Sequence, residues 1–335
     1  SFVMEIDGLS FPEALALLAE RAGVSLVRRV PSTQIGRAGN IAGETSAVKT
    51  RIFEALDLAS KFFEKQLWDG IGTRLALPYL RSRGISDEFL RLFRIGFSLP
   101  GWRTLLDFLV RRGYSMAELE TAGLVVRKTE SIAASEGESA AFLRGGSSGN
   151  LFGYDRFRDR ITFPVFDISG RVIGFSARVL PGASEESAKY INTPETPVYH
   201  KSNALYGLFQ AKRALRDTRE ALSVEGNMDV IAMHQIGFSN TVAVSGTALT
   251  EEQLRIVLRF GDSVKLFFDM DSAGQKAARK SAELALSLGL SVSIVRIEGG
   301  KDAAELAREN VESLRQSIAN AIPAPEYFLR SELRE

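Results

Sequence analysis

Four carboxylates follow apolar runs in the second half of the chain: Glu225 in SVEGNMD, Asp269 and Asp271 in LFFDMDSAG, and Asp302 in IEGGKDAAE. Asp269 and Asp271, separated by one residue, repel each other and on their own cost stability. An Asp-x-Asp ahead of a helix is commonly a helix cap with a solvated neighbour. The alternative is a divalent cation, because Mg²⁺ prefers hard oxygen ligands and completes its shell with water and substrate phosphate. Glu225 precedes Asp269 by 44 positions and Asp302 follows it by 33. Such spacing brings the acids to one edge if their runs are strands of a parallel sheet. Gly226 and Gly274 would let backbone and phosphate approach closely, and a helix starting near Ser272 would aim its positive end at the same place.

The elements that must position these acids alternate. ALSVE, TVAVS, VKLFFD and SVSIVRI read as strands; MDVIAMHQIG, LTEEQLRIVLRFG and SAGQKAARKSAELALSLG read as helices between them. Thr250 and Gln253 form a capping box, and Gly237 and Gly261 are stops. The pattern predicts a parallel sheet with helices on both faces. AELARENVESLRQSIANAI reads as one final helix, and APEYFLRSELRE begins another.

Upstream, FPEALALLAERAGV is helical and PSTQIGRAGNIAGETSA a turn-rich loop. A helical pattern runs from Val48 to about Arg112 with Ser86 as an N-cap, and GYSMAELETAGLV repeats the device with Ser115. Residues 127–150 read as a surface loop. RITFPVFD, RVIGFSARVL and AKYINT are short strands with Ser169-Gly170 placed as a hairpin turn, and the helix of LYGLFQAKRALR follows.

The 335 residues, 45% of them hydrophobic, suffice for two domains. No apolar run approaches the ~20 residues of a membrane span, and SFVMEIDGLS lacks signal-peptide features, so the expected location is cytoplasmic with no membrane partner. With no cysteine and only His200 and His234, thiolate zinc and histidine-rich metal sites are excluded; a metal must be held by carboxylates, which suits Mg²⁺, Mn²⁺ or Ca²⁺. Residues 151–222 carry eleven Lys and Arg against eight Asp and Glu, and 225–305 carry eight against eleven. A basic segment ahead of an acidic one suits a polyanion held beside metal ions.

EGNMD (225–229), DMDSAG (269–274) and GKD (300–302) resemble the Toprim domain shared by bacterial DnaG-type primases, topoisomerases and some nucleases. YLRSRGIS (79–86), RIGFSLPGW (94–102), YDRFRDRITFPVFDISGRVIGFSARVL (154–180) and KYINTPETPVYHKSNALYG (189–207) resemble the RNA-polymerase core of the primases, in the same order. The resemblance implies an α/β protein in three parts: a mixed α/β lobe (1–215) gripping template and nucleotide, a parallel-sheet, Rossmann-like Toprim domain (216–305), and a short C-terminal helical segment (306–335). It implies primer synthesis from NTPs on single-stranded DNA, with RNA primer as product and Mg²⁺ or Mn²⁺ as cofactor. By the same resemblance Glu225, Asp269 and Asp271 are catalytic, Asp302 joins them as a metal ligand, and Asp229 orients a ligand. Arg83, Arg178, Lys189, Tyr190, Asn192 and Lys201 match positions that bind nucleotide or template. The family's zinc ribbon and helicase-docking domain are absent from the motifs found, so the chain is expected to be a fragment without zinc, partnered by both in the full-length protein.

Several positions depart from the family pattern. Asn227 stands for Tyr, Met270 for Gly, Ser176 and Ala177 for Gly-Gly, and Ala304 for an acid, which is expected to weaken the metal site. A Toprim nuclease and a single-strand-binding module without catalysis remain as rivals. Fragments released from labelled DNA by Mn²⁺ would mark the first; salt-dependent binding without chemistry would mark the second.

Overall fold

The computed structural model describes residues 14–15, 18–19, 22, 38–128, 152–182, 188–244, 248–269, 271–297 and 302–333. Within the first expected helix, only Ala14, Leu15, Leu18, Ala19 and Ala22 are among them; the first four are helical and Ala22 lies in a turn. Helix α1 (Ala38–Trp68) begins inside the segment expected to be a loop, of which 31–37 lie outside the described residues. Ile52, Leu56, Ala59, Phe63 and Leu67 recur at helical spacing and are buried. Once that stripe nucleates a helix, each preceding residue needs only to propagate it.

Helices α2 (Gly72–Leu75), α3 (Leu77–Ser82) and α4 (Asp87–Leu92) follow. Ser86 has the extended backbone of an N-cap but makes no side-chain cap bond. The expected helical run to Arg112 is then broken by strand β1 (Gly96–Ser98). A Cβ at Gly96 would lie 2.5 Å from Phe63 Cβ, so this residue lets the strand cross α1 in contact. Helices α5 (Thr104–Val110) and α6 (Met116–Thr121) come next, the latter with its expected capping box between Ser115 and Glu118. The N-cap of α5 is Arg103, which makes no side-chain cap bond. The buried Asp155 supplies it from another strand, accepting from the Leu105 and Leu106 amides at 2.8 Å each.

Strand β2 (Val125–Lys128) occupies the first residues of the expected loop and pairs antiparallel with β3 (Phe152–Asp155); 129–150 lie outside the described residues. Strands β4 (Arg160–Phe166), β5 (Val172–Val179) and β6 (Tyr190–Asn192) join β1 in a sheet ordered β1-β4-β5-β6. Gly170, at φ 86°, closes the β4–β5 turn by donating to the Asp167 carbonyl. The β5–β6 register sets Arg178 opposite Tyr190 and Ser176 opposite Asn192.

Helix α7 (Leu208–Thr218) leads into a second sheet of order β11-β10-β9-β7-β8. Its strands β7 (Glu220–Val224), β8 (Thr241–Ala243), β9 (Ser263–Leu266) and β10 (Ser291–Ile294) are parallel, and β11 (Ile322–Pro323) lies antiparallel at the edge. Between them run α8 (Asn227–Gln235), α9 (Glu251–Leu258) with its Thr250–Gln253 box, and α10 (Ser272–Ser287). The expected final helix is two, α11 (Ala303–Glu309) and α12 (Val311–Ala319), because Asn310 leaves helical dihedrals and caps α12 through the Ser313 amide at 3.0 Å. Helix α13 (Ala324–Glu332) follows β11 directly.

Both faces of this sheet are covered. Ala211, Leu254 and Ala282 pack with Val264 and Leu266 on one side. On the other, Met228, Val230 and Leu306 pack with Leu222 and Val224, and the same core continues through Phe93, Phe97 and Phe163 of the N-terminal part. Gln235 adds a polar tie, donating to the Gly84 carbonyl and accepting from the Ser86 amide at 2.8 Å each.

Candidate active site

Strands β10, β9 and β7 are neighbours, so the segments leaving them carry Asp302, Asp269 and Glu225 to one edge. Backbone amides hold most of the acids in place. The Asp269 amide donates to Glu225 Oε1 at 2.8 Å, the Gly274 amide to Asp271 Oδ1 at 2.6 Å, and the Glu305 amide to Asp302 Oδ1 at 2.7 Å. Asp229 accepts from Gly226 and Ala304 at 3.1 Å each and so joins two of these turns. Gly274 is required here: a Cβ would lie 2.2 Å from the Asp269 carbonyl oxygen and 2.8 Å from Glu225 Oε1.

Burial raises the pKa of Glu225, and the charges of Asp269 and Asp271 push the same way. Burial also raises Asp269, with Asp302 and Asp271 adding to it while Lys189 opposes. Asp229 is pushed up to about 7 by its burial and by Asp302. Carboxylates that resist ionisation where several meet would be relieved by a cation.

A cavity of about 450 Å³ opens over this edge. Glu225, Asp229, Asp269 and Asp302 line one side, and Arg83, Arg178, Lys189, Tyr190, Asn192 and Ser176 the other. Two polar atoms of that wall, Arg83 Nε and Asn192 Oδ1, are buried without a hydrogen-bond partner among the described residues. Arg83 lies 3.7 Å from Asp302 Oδ2. Arg178 donates to the Tyr190 hydroxyl at 3.2 Å and sits over the rings of Tyr190 and Tyr79.

Two expected residues are not part of this lining. Asp271 is exposed and serves as the cap of α10, accepting from the Gly274 amide. Lys201 is exposed too, its amide bonded to Glu195 Oε1. Among the described residues, no three His, Asp or Glu side chains stand close enough to hold an ion by themselves. Ala304 is buried and offers the site only its amide, while Met270, Gly300 and Lys301 lie outside the described residues. Sequence reasoning missed Tyr79 and Gln235. Tyr79 stands inside YLRSRGIS, four residues before Arg83, and one helical turn was the available signal; Gln235 carried none.

The chain matches the family described as "DNA primase catalytic core, N-terminal domain" over 62–136 and 131–212, and "Toprim-like" over 222–307. A Toprim protein with a primase-type companion lobe is thus defined. The DNA primase of Pseudomonas aeruginosa is 36% identical over all of this chain and 47% of its own length; that of Clostridium acetobutylicum is 32% identical over 98% and 49%. The crystal structure of a DNA primase domain from Pseudomonas aeruginosa superposes with a TM-score of 0.72 at 36% identity, covering 84% of this chain and 82% of that one. A DnaG primase catalytic domain bound to ssDNA gives 0.72 at 31%, covering 85% and 83%. The chain belongs to the DNA primase family, as its catalytic core, and spans about half the length of the curated relatives it matches.

Proposed function

We propose that this chain synthesises short RNA primers from NTPs on single-stranded DNA, with residues 1–215 gripping template and nucleotide, 216–305 carrying the chemistry and 306–335 closing the core. The observation that carries the proposal is the single cavity in which Glu225, Asp269 and Asp302 face Arg83, Arg178 and Lys189. Cations on one wall suit the triphosphate and template backbone. The buried, partnerless Asn192 Oδ1 and Arg83 Nε are polar atoms ready for a ligand.

The donor set fits Mg²⁺ or Mn²⁺: it is all oxygen, and its acids are crowded enough to raise Glu225 and Asp269. Glu225, Asp269 and Asp302 would each lend oxygens to the ions, with Asp271 offering its other oxygen from the helix cap; since no three described acids converge on one point, water and triphosphate would fill most of each shell. When bound, such ions favour ionisation of the attacking 3′-hydroxyl and neutralise the leaving pyrophosphate. Glu225 takes or holds the hydroxyl proton, Asp229 fixes the turns that carry Glu225 and Asp302, and Lys189, Arg83 and Arg178 orient the phosphates. In the longer protein the partners are a zinc-binding domain and the replicative helicase, and the location is cytoplasmic; no helix among the described residues is long and apolar enough to cross a membrane.

The test is labelled oligoribonucleotide synthesis on mixed-sequence single-stranded DNA with Mg²⁺ or Mn²⁺, beside Asp269→Ala. Expected is a loss of about 10³-fold, roughly 4 kcal/mol of barrier, with DNA binding within twofold of wild type. Equal loss of binding and synthesis, or DNA fragments in place of RNA product, would overturn the assignment.

A further inference from the structure

We propose that Tyr79 is a positioning residue for Arg178, and that Tyr190 acts with it instead of stacking on a base; this rests on the cavity being the nucleotide site proposed above. The Arg178 guanidinium carbon lies 5.4 Å from the Tyr79 ring centroid and 5.5 Å from that of Tyr190, and its Nη1 donates to the Tyr190 hydroxyl. The other lining arginine, Arg83, faces Asp302, whereas no carboxylate is paired with Arg178 among the described residues.

The choice of partner matters. A carboxylate would orient the guanidinium but compete with phosphate for it. An aromatic face attracts the cation through its quadrupole and leaves the charge uncancelled. Arg178 is thereby held in place before a ligand arrives, and the ordering cost of binding falls. Tyr79 belongs to α3 and Arg83 is the C-cap of that helix, so the ring also ties the position of Arg178, on β5, to that of Arg83. Tyr190, half-buried and bonded through its hydroxyl, is engaged by the arginine.

The experiment measures equilibrium binding of ATP, together with KM and kcat for primer synthesis, on the 335-residue chain. Tyr79→Leu should weaken ATP binding and raise KM about tenfold, a change within the range of a desolvated cation–π contact, with kcat within twofold. Tyr79→Phe, which keeps the ring, should stay within twofold of wild type. In an Arg178→Ala background, Tyr79→Leu should add nothing. If Tyr79→Leu fails to fold, Tyr79→Met decides, because it keeps the apolar volume and removes the ring. Tyr190→Phe should weaken binding by about two- to threefold, the loss of one hydrogen bond. Unchanged affinity in Tyr79→Leu or Tyr79→Met while Arg178→Ala binds weakly, or an equal further loss in the Arg178→Ala background, overturns the positioning role alone. Unchanged affinity in Arg178→Ala overturns the nucleotide-site reading and the positioning role with it.

Discussion

The two sides of the cavity are built by different means. On the acidic side, Asp302 is fixed by an amide of the helix it caps, and Asp229 and Glu225 by amides of neighbouring turns, while Asp271 is held in the same way just outside the lining. On the basic side, Arg178 and Tyr190 meet because β5 and β6 pair in a given register, and Arg83 arrives from a helix about a hundred residues upstream. Hydrogen bonds from backbone amides fix carboxylates against their mutual repulsion; ring contacts leave a cation free to bind an anion. Damage to the acidic side should therefore strike folding and chemistry together, and damage to the basic side should strike affinity.

Gly274→Ala should break that contrast hardest. The added Cβ meets the Asp269 carbonyl oxygen and Glu225, so primer synthesis should fall at least about hundredfold and thermal unfolding should drop by several degrees. The salt dependence of single-stranded DNA binding should not change, since the basic wall is untouched. An unaltered melting curve would show that the acidic side is not packed as tightly as described.

His234, on the helix that starts beneath the acids, gives a pH test. Burial lowers it to about 4 against an unfolded value of 6.5, and its Nε2–H donates to the Thr241 carbonyl at 2.9 Å. Between those values the unfolded chain binds a proton that the folded chain refuses. Stability is therefore complete above 6.5 and falls as pH drops towards 4, by about 3 kcal/mol from this group. Denaturant titrations of His234→Gln should lack that portion of the acid slope, so the variant should gain on wild type from pH 6.5 to 4. Parallel curves would refute it.

Asp229→Ala leaves the Gly226 and Ala304 amides without their acceptor and should cost about 2 kcal/mol in urea unfolding, along with synthesis. Ser115→Ala removes a capping box that touches neither side of the cavity. It should cost about 1 kcal/mol and leave synthesis unchanged; a loss of activity there would mean that the N-terminal lobe feeds strain into the site.

The same contrast explains what could be read from the chain before folding. Ser115 with Glu118 and Thr250 with Gln253 are three residues apart, so their boxes are visible in the sequence and form as expected. The three strand-end acids are legible because strand, acid and helix follow one another locally. Gly96–Ser98 is not, because a strand that short is defined by its partner on β4 and by contact with Phe63. Asn310 breaks what periodicity reads as one helix, since apolar spacing continues on either side of it. The capping of α5 by Asp155, the ring of Tyr79 on Arg178 and the Gln235 bonds all join residues about fifty or more positions apart, and no local pattern announces them.

Gln235 and the shared core under both lobes have a calorimetric consequence. Phe93, Phe163 and Val224 belong to one apolar cluster, and Gln235 closes on the Gly84–Ser86 turn beside Arg83. Because the two parts already share this core among the described residues, a nucleotide should enter a gap whose width was set during folding. The heat-capacity change of binding should then scale with the ligand's own covered area and stay small, unlike that of an enzyme whose domains shut around their substrate.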